Sequence, residues 1–74
     1  MDVSPEWTVR HFTQANPRGA GQGDVRALLE RIGATLDSLG PVEVQDMTFH
    51  TEVTEDGPWH SITVYYHPLA DART

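Results

Sequence analysis

From residue 42 to residue 67 the chain reads VEVQDMTFHTEVTEDGPWHSITVYYH. Apolar, β-branched and aromatic residues alternate with polar ones on both sides of Glu55-Asp56-Gly57-Pro58. This pattern predicts two antiparallel strands joined by a tight turn, since Asp-Gly between alternating runs is a strong hairpin signal. A two-residue Asp56-Gly57 loop, or a four-residue loop ending at Pro58, sets one register. It places Val53 opposite His60, Thr51 opposite Ile62, Phe49 opposite Val64 and Met47 opposite Tyr66. That set is mostly apolar and is expected to be buried. The other face pairs Thr54 with Trp59, Glu52 with Ser61, His50 with Thr63, Thr48 with Tyr65 and Asp46 with His67. A slip of one residue would mix the two faces, so burial opposes it. Upstream, Val44 and Met47 differ in parity, which predicts a bulge near Gln45-Asp46.

A different period precedes the hairpin. Val25, Leu28, Leu29, Ile32, Leu36 and Leu39 recur at helical spacing, with Arg26, Glu30, Arg31 and Asp37 mostly off the stripe. Asp24 is a good N-cap, and Gly40-Pro41 is a stop. The spacing predicts a helix over about 25–39, its stripe on the Phe49/Val64/Tyr66 face. Gly33 inside it suggests close approach to the sheet. Earlier still, Glu6 to Phe12 alternates, with Trp7, Val9 and His11 on one side and Thr8, Arg10 and Phe12 on the other. This predicts a short first strand.

The expected fold is therefore α+β, in the order β-α-β-β. A mostly antiparallel sheet of about three strands is covered on one face by a single helix. The hairpin edge that strand 1 joins stays open. The 74 residues make one domain, with 1–5 and 69–74 as frayed tails.

Residues 13–23, TQANPRGAGQG, break every period and are expected to form a loop. Two readings stand beside each other. One is a flexible strand-to-helix connector. The other is a backbone N–H cradle for an anion at the helix N-terminus, assisted by Arg18. The glycine spacing is not that of a dinucleotide fingerprint, no Gly-Lys-Ser/Thr follows, and Asp24 would repel an anion.

Composition narrows the function. A domain this small buries only about 60 % of its unfolded surface. There is no cysteine to staple it, which also removes any Cys-based metal site. The net charge is −6, with five arginines and no lysine. That balance opposes nucleic-acid binding, which depends on cations meeting phosphates, and favours a basic protein partner. No apolar run approaches the roughly 20 residues of a membrane span. No signal peptide is visible at the N-terminus. A cytoplasmic location is expected.

For catalysis the residues offer little. Asp46, His67 and Thr48 resemble a triad only by composition, and a flat two-stranded face has no pocket. Asp46, His50 and His67 are metal-ligand types, but positions two pairs apart along the strands lie about 13 Å from each other. No catalytic residue, metal site or resident cofactor is expected. The better clue is the outer hairpin face, where Trp59, Tyr65, His50 and His67 interleave with small polar residues, as binding surfaces do. Trp59, Tyr65, His50, His67 and Asp46 are the candidate contacts for a ligand or partner.

Strand, helix and long hairpin within about seventy residues is similar to the order of elements in dodecins, small flavin-storing assemblies. The resemblance covers most of the chain without a shared motif. It implies, as an alternative, an oligomeric carrier of a flavin-like or other aromatic ligand. The first expectation is a small acidic homo-oligomer, acting as a binding or structural module. Histidine titrates near pH 6.5 when unperturbed. If His50 and His67 lie in the contact, the oligomer mass changes between pH 8 and pH 5.5 in sedimentation. An unchanged mass would remove them from it.

Overall fold

The computed structural model describes residues 9–69. It contains β1 (Arg10–Ala15), α1 (Val25–Leu39), β2 (Val42–Thr54) and β3 (Gly57–Pro68). All strands pair antiparallel, in the order β1-β3-β2. The fold is α+β, with a helix between β1 and β2. The open question of which edge β1 joins is answered by β3, the central strand.

The first strand runs later than its alternation suggested. Its expected beginning, with Trp7, lies outside the described residues. It continues through Thr13, Gln14 and Ala15, which were expected in the loop. The two polar residues among them suit an edge strand because each has a partner. The Thr13 and Thr63 hydroxyls are 2.7 Å apart, and Thr35 of the helix donates to Gln14 Oε1 at 2.7 Å.

The helix has the predicted bounds. Asp24 caps it, its Oδ1 accepting from the Ala27 N–H at 3.1 Å. Gly40 ends it at φ +80°, a conformation that suits glycine. Leu28 and Ile32 are buried against Ile62 and Val64 of β3, with Phe12 and Leu36 packed beside them. Gly33 does not touch the sheet; a Cβ there would meet nothing within 4 Å.

The hairpin register differs from expectation by two residues. The two-residue loop is Glu55-Asp56, and Thr54 pairs with Gly57. Val53 therefore faces Pro58, Phe49 faces Ile62 and Met47 faces Val64. Gly57 takes φ +108°, and Thr54 fixes the turn by donating to the Gly57 carbonyl at 2.8 Å and accepting from the Asp56 N–H at 3.2 Å. Two residues is the period of a strand, so each residue keeps its expected face. The bulge falls between Val44 and Asp46, where parity demanded it.

Burial departs further from the pattern. The helix packs on β1 and β3 and leaves the same side of β2 largely open. Met47 is 46 %, Phe49 55 % and Val53 85 % exposed. The reason is length and sheet order. A 15-residue helix is about 22 Å long, whereas a 13-residue strand spans about 43 Å. With β3 in the centre, a helix seated on β1 and β3 cannot also cover β2. The radius of gyration is 15.3 Å, against about 11 Å for a compact chain of this length.

The open space at Gly33 yields a prediction. Gly33→Ala should stabilise the helix by about 0.5–1 kcal/mol. Thermal denaturation should show a midpoint raised by about 4 °C. A lower midpoint would mean that Gly33 packs closely in solution.

Candidate functional site

The sheet face turned away from the helix carries all five candidate residues. Alternation places Trp59, Ser61, Thr63, Tyr65 and His67 of β3 there. Beside them lie Asp46, Thr48, His50 and Glu52 of β2, and His11, Thr13 and Ala15 of β1.

At the tip end this face is hollowed. Thr13, Ala15, His50, Glu52, Trp59 and Ser61 line a depression of about 200 Å³. Trp59 is half-buried and held from two directions. Its indole N–H donates to the Asn16 carbonyl at 2.7 Å, and the Arg18 guanidinium lies 5.0 Å from the ring centroid. A cation at that distance over an indole is attracted by the ring quadrupole. His50 faces Ser61 and Glu52 faces Trp59 across the strands.

The other candidates lie further along. Tyr65 is six residues from Trp59, about 20 Å in an extended strand. It faces Asp46 and His11, its ring 5.7 Å from the His11 ring. His11 is exposed on this face. Asp46 Oδ1 accepts from the Met47 N–H at 2.9 Å beside the bulge. The expected Asp46–His67 pair is not formed across the strands: the two-residue shift and the bulge set His67 opposite Glu43. His60 lies on the helix side, half-buried, with Nδ1 2.8 Å from the Thr51 hydroxyl and its ring 5.0 Å from that of Phe49. Among the described residues, no three His, Asp or Glu side chains converge in a way that could hold a metal ion.

The structure adds a cluster that the sequence reading missed. Asn16 and Gln22 of the glycine-rich loop are buried. Asn16 Nδ2 donates to the Asp24 carbonyl at 2.7 Å. Gln22 Nε2 donates to Thr54 Oγ1 at 2.8 Å and to the Gly57 carbonyl at 3.1 Å, while its Oε1 accepts from the Gly19 N–H at 3.0 Å. The loop is thus fastened to the hairpin tip, not a free connector. Gly23 passes so close that a Cβ would lie 3.3 Å from the Pro58 carbonyl. No local pattern announces the contacts of Gln22 with the hairpin, because the partners are more than thirty residues apart.

No protein-family model, no curated protein and no solved structure matches the chain. The likeness to dodecins therefore rests on the order of elements alone. Among the described residues no helix is long and apolar enough to cross a membrane.

The Gln22 contacts carry a test. Gln22→Ala would leave the Gly57 carbonyl and the Gly19 N–H without this partner. It should lower stability by about 1–3 kcal/mol in urea denaturation, and amide exchange near residues 54–59 should accelerate. A neutral substitution would show that the loop is not held through Gln22.

Proposed function

We propose that this chain is a self-associating binding or structural module without catalytic activity. One observation carries the reading: the uncovered apolar row Val44, Met47, Phe49 and Val53 along the helix side of β2. Sizeable exposed apolar rows mark interaction surfaces, and a small domain without disulfides gains stability by burying one. Self-association is thereby drawn to β2, beyond the outer face that the residue pattern favoured. Trp59, Tyr65, His50, His67 and Asp46 remain the proposed contacts of that outer face for a ligand or a protein partner. The net charge of −6 suits a basic partner. A cytoplasmic location belongs to the same proposal, in keeping with the absence of cysteine.

The hollow at Trp59 favours a second reading, an oligomeric carrier of a planar aromatic molecule, flavin-like in shape. Its volume of about 200 Å³ is below the roughly 300 Å³ at which small-molecule sites begin. A carrier would need a second copy to complete the site.

Native mass spectrometry of the purified protein, with an absorbance spectrum of the same sample, tests both. A discrete oligomer without added mass supports the module. An oligomer carrying a small chromophore supports the carrier. A monomer at tens of micromolar protein overturns self-association.

A further inference from the structure

β2 is an edge strand of 13 residues, paired on one side with β3 and, among the described residues, with nothing on the other. Such an edge presents a row of unpaired N–H and C=O groups, a template for another strand. Natural edges are blunted by shortness, proline, bulges or charged side chains, lysine above all. β2 is long, has no proline or lysine, has a single irregularity at Gln45, and carries its acidic charge at Glu43, Asp46 and Glu52. From Asp46 to Thr54 its pairing is regular.

The strand is also suited to its own image. Two copies related by a two-fold axis normal to the sheet run antiparallel, with both helices on one side. Opposed residue numbers then sum to an even constant, so apolar residues meet apolar residues and the outer rows meet each other. Few registers remain. Centring the axis on Phe49 opposes Asp46 to the partner's Glu52 twice, and like charges across strands repel. Centring it on His50 opposes the two histidines. Centring it on Met47 drives His50 and Phe49 into the bulge region. Two centres stand apart. At Thr48, His50 faces the partner's Asp46 while Met47 faces the partner's Phe49, and it is Thr51 rather than Phe49 that meets the bulge at Gln45. At Thr51, His50 faces the partner's Glu52 while Phe49 faces the partner's Val53. In both, an imidazole N–H meets a carboxylate twice, and exposed apolar residues cover one another.

We propose that a second copy of this chain adds to the free edge of β2, antiparallel about a two-fold axis at Thr48 or Thr51, with His50 set against a carboxylate of its partner. This deepens the self-association reading and rests on it. The two three-stranded sheets become one of six strands. The chain's acidity makes the choice selective, since His50 is the only basic side chain on β2.

The chain has no cysteine, so single-cysteine variants report the axis directly. T48C, F49C, H50C and T51C would each be treated with a short bifunctional thiol reagent, after native mass spectrometry confirms that each variant keeps the mass of the parent. T48C or T51C should give covalent dimer at least about ten times faster than F49C and H50C, because only the on-axis residue faces itself at 4.5–5.5 Å between Cβ atoms. As a second readout, H50E should weaken dimerisation by about tenfold while H50R retains it. Fastest linkage at Phe49 or His50, or equal slow linkage at all four positions in a protein that is still oligomeric, overturns the edge pairing while leaving self-association in place. A monomeric parent protein overturns both.

Discussion

One helix has to cover a sheet that is twice as long as itself. Leu28 and Ile32 sit on Ile62 and Val64 of the central strand, and this contact is the core of the domain. Everything else is arranged around where it falls. Because β1 joins β3, the helix finds apolar partners on those two strands, with Phe12 closing one side. Among the described residues, most of the helix side of β2 is left uncovered. The same geometry that secures the core leaves Met47, Phe49 and Val53 in water.

The far end of the hairpin is secured by polar means instead. The loop between β1 and α1 crosses to the tip, where Gln22 bonds Thr54 and the Gly57 carbonyl. Arg18 and the Asn16 carbonyl fix Trp59. Buried side-chain amides are useful here because they satisfy backbone groups that would otherwise lose water without compensation. The glycines let the loop take positive φ at Gly19 and Gly21 while passing close to Pro58 at Gly23. A segment that composition presents as flexible is therefore part of what shapes the hollow at Trp59.

The two faces of the sheet offer different chemistry. The helix side of β2 is apolar and suits a surface that becomes buried on association. The opposite face is polar and aromatic, and suits recognition. Both meet at the free edge of β2, where His50 lies on the recognition face and Phe49 on the apolar one. An edge partner would extend both surfaces at once and wall the hollow at Trp59 from the side of His50 and Glu52.

The helix and the hairpin were legible in the local residue pattern, whereas the first strand lies further along the chain than its alternation indicated. Helical spacing with Asp24 and Gly40-Pro41 at its ends defined α1, because capping and periodicity are local. Alternation defined which hairpin residues share a face, and the parity break at Gln45 located the bulge. The two-residue error in register kept the faces intact, because side chains alternate with that period, but it separated Asp46 from His67. Which strand lies in the centre, and hence which apolar residues the helix covers, depends on pairing between distant segments. Alternation reports that a face is apolar; it does not report what, if anything, lies over it. The contacts of Asn16, Arg18 and Gln22 with the hairpin were equally hidden, since a contact with a residue more than thirty positions away leaves no periodic trace.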